Sequence, residues 1–138
     1  MQELDYRVLK YLYRRKEPIK VGDIAREFSV PHSTVGSCVK RLKNFDYLFY
    51  TPYEEVKLSK AGNDLAIELI RHAQLMEVLL YNELKLSIED AHRESEKINF
   101  LFSCVTINKI CQKYNHPKTC PCGDEILNSS DCYCKEND

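Results

Sequence analysis

Apolar positions at the start of the chain recur at helical spacing and then switch to alternation. Leu4, Val8, Leu9, Leu12 and Tyr13 define a helix over residues 3–15, which Lys16-Glu17-Pro18 ends. Val21, Ile24, Ala25 and Phe28 mark a short second helix. Ser29-Val30-Pro31-His32 is a turn, and Pro31 suits a helix start. In the third helix Val35, Cys38, Val39 and Leu42 form one apolar stripe. Tyr47 to Tyr50 and Glu55 to Leu58 read as two strands, with Thr51-Pro52-Tyr53-Glu54 as the hairpin tip. Ser59 caps a long fourth helix over about residues 60–82. Ser87 and Asp90 open a fifth helix over about 88–98, and a sixth runs over about 100–114, ended by Asn115-His116-Pro117. Three helices followed by a hairpin is the order of a winged helix-turn-helix. The expected fold is mainly α with a small β-hairpin. Residues 1–62 form the winged helix-turn-helix, 63–116 a helical dimerisation and sensing region, and 117–138 a cysteine-rich tail.

Charge sharpens this division. The chain carries a net charge of −1, but residues 1–62 carry +4 and residues 63–138 carry −5. A basic front half and an acidic back half suggest that the front half meets phosphate. The faces of helix 3 away from its apolar stripe carry short polar groups at the N-terminal end and cations further along. Short groups let a helix sit deep in the major groove, while Lys and Arg anchor to phosphates. His32, Ser33 and Ser37 are therefore expected near base edges. Thr34, Lys40 and Lys43 are expected on the backbone, and Tyr53 and Lys57 belong to the wing. Arg41 could instead pair with an acid of helix 1, and Cys38 belongs to the core. A solvated helix face in a winged-helix protein-interaction module is the competing reading; the basic front half favours double-stranded DNA.

Several segments resemble the diphtheria toxin repressor family of metal-dependent repressors, including its manganese-sensing branch. They are Val21-Gly22-Asp23-Ile24-Ala25, Ser33-Thr34-Val35, Val39-Lys40-Arg41-Leu42, Leu58-Ser59-Lys60-Ala61-Gly62, Ser87-Ile88-Glu89-Asp90-Ala91-His92 and His116-Pro117-Lys118-Thr119-Cys120-Pro121. The resemblance runs over roughly residues 3–127. It implies a homodimer built from helices 4 to 6 and an operator with two-fold symmetry. Its primary ion site would take Asp5 and Glu96, but the next two ligand positions hold Asn99 and Phe100. Phe cannot ligate a metal and neutral Asn replaces an anion poorly. Its ancillary site would take Glu77 and His92, but the third position is Ala73. His72 lies one residue early, about 100° around the helix. Both inherited ion sites are thus incomplete in the sequence.

The tail offers other ligands. Cys120-Pro121-Cys122 and Cys132-Tyr133-Cys134 are separated by nine residues that are mostly polar. In the family the position of Cys122 is usually His, followed by a glycine that stands here as Gly123. We expect Cys120, Cys122, Cys132 and Cys134 to hold one centre, either an iron–sulfur cluster or Zn²⁺. Unligated reduced thiols and a redox disulfide are the alternatives. Cys104 and Cys111 lie seven apart on one helix face and read as core or interface. No run of residues approaches the roughly 18 apolar positions of a membrane span, and Met1-Gln2-Glu3-Leu4-Asp5 carries no signal pattern. The expected compartment is the cytoplasm, with no membrane partner. Without a helix-starting C-x-x-C, a nucleophile–base pair or a phosphate loop, the sequence points away from an enzyme. The function it supports is a metal- or iron–sulfur-responsive repressor that binds a palindromic operator as a homodimer. The alternative is a protein-interaction module with a structural zinc tail.

Overall fold

The computed structural model describes residues 1–135; the end of the expected tail, 136–138, lies outside the described residues. The chain divides into two compact units, residues 1–66 and residue 67 onward.

The first unit holds α1 (Glu3–Arg15), α2 (Val21–Phe28), α3 (His32–Asn44), β1 (Leu48–Phe49) and β2 (Lys57–Leu58). Each boundary has a local cause. Asp5 receives the Gln2 N–H at 3.0 Å in a capping box that opens α1. Lys16 and Ser29 take left-handed backbone conformations that close α1 and α2. The strands pair antiparallel, with Leu48 opposite Leu58 and Phe49 opposite Lys57. A further bridge joins Ile19 to Val56. Val8, Leu9, Ile24, Val35, Cys38, Val39, Leu42 and Val56 are fully buried. They come from α1, α2, α3 and the residue that leads into β2, so α3 is fixed on one side and bare on the other.

The wing is tied to the start of α4 (Lys60–Glu83). Ser59 donates its N–H to the Tyr47 carbonyl at 3.0 Å and its hydroxyl to the Asp46 carbonyl at 2.6 Å. Its Oγ then accepts the Gly62 N–H at 3.0 Å, capping the helix. Gly62 is required here because a Cβ would overlap the Tyr47 carbonyl oxygen. Gly62→Ala should therefore destabilise the protein by about 3 kcal/mol, since backbone rather than a flexible side chain must yield. Urea unfolding monitored by circular dichroism measures it; a change under about 0.5 kcal/mol would show that the wing gives way freely.

The second unit is built on the rest of α4 with α5 (Ile88–Ser95) and α6 (Cys104–Lys113). Ser87 caps α5 by accepting the Asp90 N–H at 3.1 Å. Both later helices are shorter than their apolar periodicity predicts. Asn99 takes a positive φ of 48°, which breaks the chain out of helix, and Ser103 caps a new start at Cys104. The core joins Leu75, Met76 and Val78 of α4 to Ile107, Ile110 and Cys111 of α6 and to Cys120 and Ile126 of the tail.

The tail holds its course by polar contacts. Arg71 donates to the Leu127 carbonyl at 3.1 Å, Asn128 Oδ1 at 2.9 Å and Asn108 Oδ1 at 2.8 Å. Gln74 donates to the Glu125 carbonyl at 2.7 Å and accepts the Leu127 N–H at 2.9 Å. The Glu125 carbonyl and both backbone groups of Leu127 are thereby satisfied by α4 side chains, where a strand ladder would satisfy them in a sheet.

Candidate metal centre and nucleic-acid interface

The outer face of α3 is as the stripe requires. His32, Ser33, Thr34, Ser37, Lys40 and Lys43 are all exposed, while Val35, Cys38, Val39 and Leu42 are buried beneath them. Tyr53 is 98% exposed at a positive φ on the wing, and Lys57 is exposed on β2. These eight residues share the first unit.

Arg41 leaves that face and pairs with Asp5, through contacts of 2.8 and 3.1 Å. Asp5 is completely buried. Burial pushes its carboxyl up, but hydrogen bonds from Arg41, the Gln2 N–H and Cys38 outweigh that and hold it below the usual range. Asp5 is therefore engaged structurally. Asp5→Asn should cost about 2 kcal/mol, because Arg41 loses its charge partner but keeps some water. With the folded pKa depressed, the stabilisation is full above the unfolded carboxylate pKa of about 4 and is lost as pH falls through the folded value. Urea midpoints of both proteins between about pH 2 and 7 should converge toward the acid end. A gap that stays constant across that range would contradict the ion-pair account.

The four tail thiols do not meet, which corrects the expectation of a single centre on Cys120, Cys122, Cys132 and Cys134. Cys120 and Cys122 approach to 3.0 Å. Cys132 turns instead to His72, 3.4 Å away, and Cys134 joins Cys111 and His116. The physical reason lies on α6, where Asn108 donates to the Tyr133 carbonyl at 2.8 Å. That bond pins the residue between the two cysteines, so they leave toward different neighbours. No disulfide joins the cysteines of the described residues.

Cys120 and Cys122 enter a mixed set. The Glu77 carboxylate on α4 is 2% exposed and receives the Cys122 N–H at 3.0 Å. His92 Nδ1 of α5 lies 2.9 Å from Glu77 Oε1. Cys122 Sγ lies 3.7 Å from both Glu77 Oε1 and Asp124 Oδ2. Glu77, His92 and Cys122 have donor atoms within 4.8 Å of one another, as do Cys120, Cys122 and Asp124. Cys122 joins the two sets. Burial, then Cys120 and Glu77, push the Cys122 thiol up to about 12. A buried carboxylate facing an imidazole and the Cys122 thiol, with the Cys120 thiol 3.0 Å further on, is costly alone and offers donors suited to a divalent cation. Of the inherited ligands, Glu77 and His92 are together. Glu96 caps α5, and Asp5 belongs to the first unit. The residues missed in the sequence are Asp124, beside Cys122, and Glu68, His72 and Cys104, discussed below. Glu68 and His72 stand four apart on α4, a spacing that places both on one helix face.

The profile of the iron dependent repressor, metal binding and dimerisation domain matches residues 59–128. The HTH-type transcriptional regulator MntR of Geobacillus kaustophilus (strain HTA426) is 30% identical over 99 residues, which are 72% of this chain and 70% of that protein. The chain belongs to the diphtheria toxin repressor family. Among solved structures, the manganese regulator SloR is similar over 94% of this chain with a TM-score of 0.78 and 30% identity. This chain covers 65% of SloR, less than two thirds of its length. A hypothetical protein of Sulfolobus solfataricus, SSo2273, shares the fold over 87% of this chain and 96% of its own, with a TM-score of 0.73 and 24% identity. Within this family, the chain departs from the inherited ion ligands at Ala73, Asn99 and Phe100, and Phe100 packs edge-on against His72 at 5.3 Å between ring centroids.

Proposed function

We propose that this chain is a metal-responsive transcriptional repressor that binds a pseudo-palindromic duplex as a homodimer. One observation carries the reading: the same chain bears a polar and cationic face on α3 and, in its second unit, a buried carboxylate set among an imidazole and two thiols. The metal would be held by Glu77, His92, Cys120 and Cys122, with Asp124 beside them. Bound there, a cation supplies a charge that fastens α4, α5 and the tail loop together. Carboxylate-rich sites suit manganese, whereas thiolates favour softer ions. The donor set therefore supports Zn²⁺ or Fe²⁺ over the manganese named for SloR. An iron–sulfur cluster would need thiolates where this site has a carboxylate and an imidazole. A second copy of the chain is the occupant we assign to the exposed apolar residues Leu101 and Val105, 74% and 70% accessible in the region of the matched dimerisation domain.

Lys40 and Lys43 test the DNA half of this reading. Their replacement by Ala should weaken binding across unrelated sequences. It should also lower the slope of log affinity against log salt by about 3.6 per dimer, at about 0.9 per lost phosphate contact. Fluorescence anisotropy across a salt series reads it. An unchanged slope would remove α3 from the phosphate backbone and leave a protein-interaction module as the reading.

A further inference from the structure

A second set of donor atoms lies in the same unit and shares no residue with the first. Glu68 and His72 stand one turn apart on α4, Cys104 is the first residue of α6, and Cys132 comes from the tail. Their four donor atoms lie within 4.8 Å of one another. His72 Nε2 is 3.5 Å from Cys104 Sγ, 3.4 Å from Cys132 Sγ and 4.0 Å from Glu68 Oε1. Cys104 Sγ is 2.9 Å from Glu68 Oε1. A tetrahedral zinc with Zn–N near 2.1 Å and Zn–S near 2.3 Å holds its nitrogen and sulfur ligands about 3.6 Å apart. The His72–thiol separations already have that value. We propose that Glu68, His72, Cys104 and Cys132 form a structural site for a thiophilic divalent cation, Zn²⁺, which fastens the tail to α4 and α6.

Three further features fit. His72 is 1% exposed, and its Nε2 faces the thiols of both Cys104 and Cys132. Cys104 opens α6 with its thiol already against the Glu68 carboxylate, so a cation that replaces that proton would be shared by both groups. Arg71, also 1% exposed, is a buried cation whose three oxygen partners are all neutral and whose Nε has no hydrogen-bond partner. Zn²⁺ with two thiolates and one carboxylate carries a net charge of −1, which supplies an anion that Arg71 does not find among the described residues. The carboxylate completes a four-ligand set with no open position, the arrangement of a structural rather than a catalytic zinc.

The test uses full-length protein, prepared anaerobically, stripped of metal and titrated with Co²⁺ as a coloured stand-in for Zn²⁺. In Cys120→Ser/Cys122→Ser, which silences the first site, one Co²⁺ per chain should still give the intense visible bands of a tetrahedral, thiolate-bound ion, displaced by Zn²⁺. Adding Cys104→Ser and Cys132→Ser should abolish them, while adding Cys111→Ser and Cys134→Ser should leave them. Bands that survive loss of Cys104 and Cys132, that depend on Cys134 instead, or that never form overturn the proposal. As a check that needs no variant of these cysteines, Zn²⁺ should slow hydrogen exchange of residues 126–134 in the Cys120→Ser/Cys122→Ser protein at least about 10-fold. Unchanged exchange overturns it too. Neither readout involves DNA, so the result stands apart from the regulatory reading.

Discussion

Glu77→Gln should abolish the metal response while leaving the metal-free fold intact. The side chain keeps its shape and still accepts the Cys122 N–H, but it loses the charge that faces His92 and Cys122. Loss of an outer-shell partner alone costs roughly 10–100-fold in metal affinity, and Glu77 is placed to contact the ion directly, so the loss should exceed about 100-fold. The metal-free protein should be about as stable as before, because a buried carboxylate held by His92 and the Cys122 N–H becomes a neutral amide of the same shape. Calorimetric titration with Zn²⁺ and thermal unfolding with and without Zn²⁺ separate the two effects. Wild-type affinity in the variant would mean that Glu77 is a structural acid and the ion binds elsewhere.

Arg71→Met should be the most damaging single change in the second unit. It strips donors from Leu127, Asn128 and Asn108 at once. Asn108 also holds the Tyr133 carbonyl, so two stretches of tail lose their anchor together. Part of that surface can recover water, which limits the cost to about 2–4 kcal/mol. Hydrogen exchange should rise selectively over residues 125–134, while α1 to α3 keep their protection. Uniform loss of protection across both units would show that the clamp supports the whole fold rather than the tail.

The α3 stripe was legible because Val35, Cys38, Val39 and Leu42 repeat at the helical period and no other element competes for them. The hairpin was legible because Thr51-Pro52-Tyr53-Glu54 separates the apolar run of residues 47–50 from the alternation of residues 55–58. The ends of α5 and α6 were not, because Phe100, Cys104, Ile107 and Cys111 keep the helical period across the cap at Ser103, while the break at Asn99 is made by the backbone. The metal ligands were half legible. Spacing pairs Cys120 with Cys122 and puts Glu77 and His92 on their helices. It also suggests that Cys132 and Cys134 travel together. Their separation depends on Asn108, 25 residues away in sequence, and on Glu68 and His72 meeting Cys104 across two helices. Those are tertiary facts that no local pattern encodes. Asp5 shows the converse: it fits an inherited ligand position, yet in this fold its carboxylate belongs to Arg41.

The central claim is that a divalent ion in the second unit controls DNA binding by the first. Its most direct measurement is the affinity of stripped, full-length protein for a duplex that the Zn²⁺-loaded protein has enriched from random sequence. Anisotropy would be read at fixed salt with chelator, Zn²⁺, Fe²⁺ or Mn²⁺. The account predicts that Zn²⁺ or Fe²⁺ tightens binding by about 10-fold or more, that chelator reverses it, and that Mn²⁺ does little. Identical affinity in chelator and in every metal would contradict it.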